Sequence, residues 1–155
     1  MKKFFSIIVI LVAAGLTFAE TVQLNNFNQI MQALENGEQV RVVAHYGKCQ
    51  LISDNEIKER SPNAIGGMPV EAFEYFAPMA VGNPKAFVSF SHSALINYGG
   101  FIYNYVKFKI TEDNKVKITA QYVDPQNYQL KMDEAFHSII NNGENKGAVY
   151  FYKNM

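Results

Sequence analysis

Phe27, Ile30, Met31 and Leu34 fall at i, i+3, i+4 and i+7, with polar or small residues between them. That spacing marks one face of a helix. Asn26 suits the N-cap, Gln29 stands at the third helical position as a capping-box partner, and Gly37 offers a stop. A free helix of about ten residues is marginal in water, so its apolar face must pack on something. After Gln39 the period falls to two: Val40, Val42, Ala44 and Tyr46 alternate with Arg41, Val43 and His45, which predicts a half-buried strand.

Residues 47–67 are polar and turn-rich, with at most a short helix over Glu56–Glu59. Further strands are predicted over Val70–Phe76, Lys85–Ile96, Phe101–Ile110, Val116–Val123 and Ala148–Lys153, punctuated by Gly82-Asn83-Pro84, Gly99-Gly100, Glu112-Asp113-Asn114 and Asn142-Gly143. Tyr128–Asn142 carries two readings. Tyr128–Met132 extends a sheet, whereas Phe136 and Ile140 within Asp133–Ile140 have helical spacing. Short connections between successive strands mean antiparallel neighbours, because a parallel pair needs a long crossover. The expected fold is α+β, an N-terminal helix packed on an antiparallel β-meander of five to seven strands. The pattern leaves open whether the sheet closes into a barrel.

Ahead of this region stands a different pattern. Lys2 and Lys3 precede an uncharged run of about 13 residues, Phe4–Leu16, and Thr17-Phe18-Ala19 puts small residues before Glu20. This is the layout of a secretory signal peptide over residues 1–19. The run is short of the roughly 20 residues that span a bilayer. No cysteine follows it for acylation. The expectation is export to the periplasm or the extracellular space, no stable membrane anchor after cleavage, and one mature domain over residues 20–155.

Composition alters the picture in three ways. Without Lys2 and Lys3 the 14 basic residues become 12 against 14 acidic ones, a net charge near −2 that gives no pull toward nucleic acid or anionic membranes. Cys49 is the sole cysteine, so no internal disulfide can form and the core alone must hold the fold. The expectation is a reduced, structurally dispensable thiol. Tryptophan is absent, while 12 Phe and 9 Tyr supply aromatic residues that favour strands.

Candidate chemistry is sparse. His45 and Cys49 are metal-ligand types four residues apart, but two ligands are too few and zinc sites need three or four. No metal or other cofactor is expected. Ser91 and His92 are adjacent on a strand and project to opposite faces, so they cannot form a nucleophile–base pair. His92 falls on the more apolar face, where a buried, hydrogen-bonded imidazole is the commoner arrangement. Ala86-Phe87-Val88-Ser89-Phe90 matches only the end of an RNA-binding strand motif, and Asn83-Pro84-Lys85 breaks its start. No nucleic-acid partner is expected.

The fourth predicted strand is more informative. Ile102, Asn104, Val106, Phe108 and Ile110 form its core side, while the opposite side carries Phe101, Tyr103 and Tyr105 before Lys107 and Lys109. Either a second layer covers these rings, or they form a face for a protein or an apolar ligand. Tyr150 and Tyr152 against Val149 and Phe151 show a similar two-sided character.

In the order and spacing of short signatures the chain resembles the VirK family of small exported bacterial proteins. The signatures run from Phe27-x-x-Ile30-Met31-x-x-Leu34-x-x-Gly37 through Val40-Arg41-Val42-Val43, Cys49 and Gly66-Gly67. They continue with Val88-Ser89-Phe90-Ser91-His92, Tyr105-Val106-Lys107-Phe108, Val116-Lys117-Ile118 and Asp124. The resemblance implies association with virulence regulons and brings no catalytic motif. If relatives pair the cysteine matching Cys49 with a second one, this chain cannot. The expected function is a non-enzymatic binding or interaction module. The rivals are an enzyme using His45, Cys49 and His92, and a structural component of an envelope complex.

Overall fold

The computed structural model describes residues 20–154, so the expected signal peptide lies outside the described residues. The first strand, β1 (Thr21–Leu24), precedes the helix α1 (Phe27–Glu35). The chain continues through β2 (Val40–His45), β3 (Gln50–Ser53), β4 (Glu56–Ile57), β5 (Ile65–Pro69) and β6 (Glu74–Phe76). It ends with β7 (Phe87–Asn97), β8 (Phe101–Thr111), β9 (Lys115–Val123), β10 (Leu130–Ile139) and β11 (Val149–Asn154).

These strands form two open antiparallel sheets, one in the order β1-β11-β2-β5 and one in the order β4-β3-β10-β9-β8-β7-β6. Neither closes into a barrel. The single expected meander survives as the run β6 to β10, in which each strand pairs antiparallel with the next.

Three local expectations fail for identifiable reasons. The strand expected over Val70–Phe76 forms only at its end, as β6 from Glu74, and residues 70–73 are where the chain changes sheets after β5 ends at Pro69. The short helix expected over Glu56–Glu59 is a tight hairpin. Asp54 and Asn55 sit at φ +54° and +62° between β3 and β4, the two-residue turn that Asp and Asn tolerate best after Gly. The helical reading of Asp133–Ile140 gives way to strand β10, which pairs with β9 along its length apart from one irregularity near Leu130 and Met132. Alternation decides it: Phe136 is buried, and His137 beside it is exposed.

Asn26 accepts the Gln29 backbone N–H at 3.0 Å, and the Gln29 side chain accepts the Asn25 N–H at 2.7 Å. The helix ends at Asn36, followed by Gly37 at φ +72°. Phe27, Ile30, Met31 and Leu34 enter one apolar cluster with both sheets. The four-stranded sheet gives Val40, Val42, Ala44, Val149 and Phe151, and the seven-stranded sheet Val88, Phe90, Phe108, Ile110 and Ile118. Phe90 lies at the junction, stacked on Phe108 at 5.3 Å and edge-on to Phe151 at 6.5 Å. The return from β10 to β11 is clamped by Asn141, whose side chain donates to the Gly147 carbonyl at 2.8 Å and accepts the Gly143 N–H at 2.8 Å. A Cβ on Gly147 would lie 2.7 Å from the Asn141 nitrogen, so glycine is required there.

Candidate functional face

The three polar candidates have separate surroundings. His45 lies half-buried at the end of β2, with its ring edge-on to Tyr150 at 5.2 Å on the outer side of the four-stranded sheet. Cys49 is buried, and its thiol contacts the His45 backbone carbonyl at 3.5 Å, not the imidazole. Burial pushes the thiol pKa up, offset in part by the Ser138 hydroxyl. A buried, protonated thiol is a poor nucleophile. It also belongs to the core cluster, which corrects the expectation of a dispensable side chain.

His92 sits opposite Val106 on β8 and is exposed, not buried. It is on the same side of β7 as the buried Val88 and Phe90, one step further toward the open end of the hairpin. None of the three side chains lines either of two cavities on the surface, described below. Among the described residues no group of three His, Cys, Asp or Glu side chains could hold a metal ion.

Phe101, Tyr103 and Tyr105 are placed by the long β7–β8 hairpin. Phe101 pairs with Asn97, Tyr103 with Leu95 and Tyr105 with Ser93. The second sheet packs on the other side of these strands, so it does not cover the rings. Phe101 is 66% exposed, Tyr103 37%, and Tyr105 half-buried. Leu95 and Leu130, in the same cross-strand row as Tyr103, are also exposed. The result is an open apolar and aromatic patch at one end of the outer face.

The other end of that face is cationic, which the sequence reading missed. Lys109 on β8 stands directly opposite Lys117 on β9, which stands opposite His137 on β10. Lys107 follows in the next row, opposite Thr119, and Lys115 lies opposite Ile139. The Lys109 ammonium rests 4.0 Å above the Phe87 ring. Among the described residues none of Lys107, Lys109 or Lys117 is in an ion pair, while Lys115 reaches Asp113 at 3.4 Å. Partial desolvation, and then the Lys117 ammonium, push the His137 pKa below its ordinary value. A shallow depression of about 500 Å³ opens among Lys109, Lys115, Lys117, His137 and Ile139. The signal was present as two copies of one pattern, Lys107-Phe108-Lys109-Ile110 and Lys115-Val116-Lys117-Ile118.

A second cavity, about 680 Å³, lies away from this face, between the end of α1 and the β5–β6 connection. Leu34, Arg41, Glu71, Phe73 and Tyr152 line it, a mixed polar and apolar wall. Among the described residues no helix is long and apolar enough to cross a membrane.

Two open antiparallel sheets that share a core with one short helix place the described residues in the α+β class. More narrowly, residues 23–128 match the family described as VirK protein, and the chain belongs to that family. Its fold is similar to the crystal structure of lpg1832, a VirK family protein from Legionella pneumophila, with a TM-score of 0.57 at 20% identity. That likeness covers 84% of this chain and 98% of the other. No curated protein matches the chain.

Proposed function

We propose that the mature chain is an exported, non-enzymatic binding module of the bacterial envelope or extracellular space, working through the outer face of the β7–β8 hairpin. The observation that carries this reading is the exposure of Phe101 and Tyr103 on strands that are otherwise well ordered by pairing. Contiguous exposed rings of this kind usually mark an interaction site. Export is supported by the charged, apolar and small-residue segments of residues 1–19. The buried, protonated Cys49 thiol, which meets the His45 carbonyl and not its imidazole, and the placing of all three candidates outside the cavities described above speak against an enzyme, since catalytic groups must reach one reacting atom.

Photocrosslinking in the native host tests the reading. A benzophenone side chain in place of Phe101 should give a discrete adduct in the envelope or extracellular fraction, and the same group at Lys58 should not. Adding Tyr103→Ser and Tyr105→Ser should remove the adduct while costing less than about 2 kcal/mol of stability. An unchanged adduct, or none from position 101, would overturn the proposal.

A further inference from the structure

Lysines directly opposite one another on neighbouring strands destabilise a sheet. Lys109 and Lys117 stand in that relation, Lys107 flanks them one row away, and none has an acidic partner among the described residues. Asp113, in the turn beside Lys115, is taken up by Lys85 and Lys115, and two further carboxylates lie at the margins of the face. Glu74 lies beyond Ser89 on the edge strand, and Asp133 accepts a hydrogen bond from Gln121 at 3.0 Å. Like charges kept side by side without an internal partner break a local rule of sheet design, and such breaks are expected at functional sites. The mature net charge near −2 averages over this segregation and hides it.

The geometry points to an anionic phospholipid bilayer as what docks on this face, with Lys107, Lys109 and Lys117 meeting lipid phosphates and Phe101, Tyr103, Leu95 and Leu130 entering the headgroup layer. The inference rests on the proposed reading of this face as the binding surface and names its partner.

Three features favour a bilayer over a small anion. The lysines spread over about 7 Å along a strand and about 5 Å between strands, the spacing of a sheet and not of a single enclosing pocket. The depression among Lys109, Lys115 and Lys117 is wide enough for a headgroup and stays open to solvent. The cations are continuous with exposed rings and leucines, and amphipathic aromatics next to lysines suit the boundary between water and acyl chains. Such docking is reversible and needs no membrane-spanning segment.

The test is co-sedimentation of the mature protein, residues 20–155, with two kinds of vesicle. One is pure phosphatidylcholine and the other an equal mixture of phosphatidylcholine and phosphatidylglycerol. Binding is expected to the mixed vesicles alone and should weaken as salt is raised. Lys107→Ser and Lys117→Ser should each lower partitioning about fivefold, and Phe101→Ser with Tyr103→Ser should lower it further. Circular dichroism should show all these exposed variants folded.

Equal binding to both vesicle types, lysine variants that partition like the parent, or stronger binding to soluble polyphosphate than to vesicles would each overturn the inference. If vesicles fail while the Phe101 adduct persists in the host, the binding face stands and its lipid partner falls. If both fail, both fall.

Discussion

At its Thr111 end strand β8 enters a turn held from several sides, whereas at its Phe101 end it leaves a turn that holds mainly itself. In the first turn Asp113 accepts from Lys85 at 2.7 Å and from the Thr111 hydroxyl, and Asn114 accepts the Phe27 N–H of α1 at 2.7 Å. The Ile140 N–H donates to the Asn114 carbonyl at 2.9 Å. In the second turn the hydrogen bonds run from Gly100 to Asn97 and from Tyr98 to Gly100, within the hairpin. The two-residue alternation of sides runs along the whole strand, and the inner side is apolar at both ends, with Asn104 between. What differs is whether a second layer lies over it: Phe108 and Ile110 are buried, Val106 is half-buried, and Ile102 is partly open. Alternation sets which side a residue takes, and the extent of the opposing sheet sets whether that side is dry.

The sharpest contrast comes from two phenylalanines on this one strand. Phe108→Ala should cost about 3–5 kcal/mol, because the ring is buried against Phe90 and the cavity cannot close fully. Phe101→Ala should stay within about 0.5 kcal/mol, as exposed substitutions do. Urea melts of the two variants measure the difference, and similar losses would erase the distinction between the ends.

Val106 lies at the border. An aspartate there would be fatal if the whole inner side were core. Half-burial lets the carboxylate reach water, so Val106→Asp should cost about 1–3 kcal/mol and leave a folded protein. Failure to fold would move the border toward Phe101.

Cys49 shares the core cluster of Phe108 and Ile110 and tests it by pH. Cys49→Ser should cost about 1–2 kcal/mol, since it puts a hydroxyl in a core position. The folded thiol has a raised pKa, so its contribution is fully present below the ordinary thiol value and is lost as pH rises through the raised one. The Tyr46 phenol, raised by burial and then by Cys49, acts in the same sense at higher pH. Melts at neutral and alkaline pH should show the parent losing more stability than Cys49→Ser. Equal losses would mean that the thiol is not dry.

The same two ends explain what was legible in the sequence. The change of period after Gln39 coincides with the passage from α1 to β2, and the alternation over residues 85–123 marks β7, β8 and β9 to within a few residues. These signals are local. The division into two sheets was not legible, because β1 pairs with β11 from the far end of the chain, and two-residue periodicity does not name a partner. For the same reason His92 was expected to be buried: its side of the strand could be read, but the reach of the other sheet could not. The aromatic half of the outer face was visible within one strand. The cationic half needed the register of β8 against β9, which brings Lys109 and Lys117 together from separate segments.

The smallest expected effect lies in the anchored turn itself. The Lys85 ammonium first, then the Thr111 hydroxyl and Lys115, hold the Asp113 carboxyl well below the usual carboxylate range. A lowered folded pKa means stability present above the ordinary carboxylate value and lost as pH falls through the lowered one. Asp113→Asn should therefore cost less than about 1 kcal/mol at neutral pH, as expected for a largely solvated ion pair. It should also flatten the loss of stability seen on acidification. Asn97→Ala in the opposite turn removes an acceptor for Gly100 but no charge, so it should leave the acid limb of the profile unchanged. Thermal melts from neutral to acidic pH compare them. If the two variants gave the same profile, the Asp113 cluster would be an ornament of the turn, and the anchoring of β8 would rest on Asn114 and the core alone.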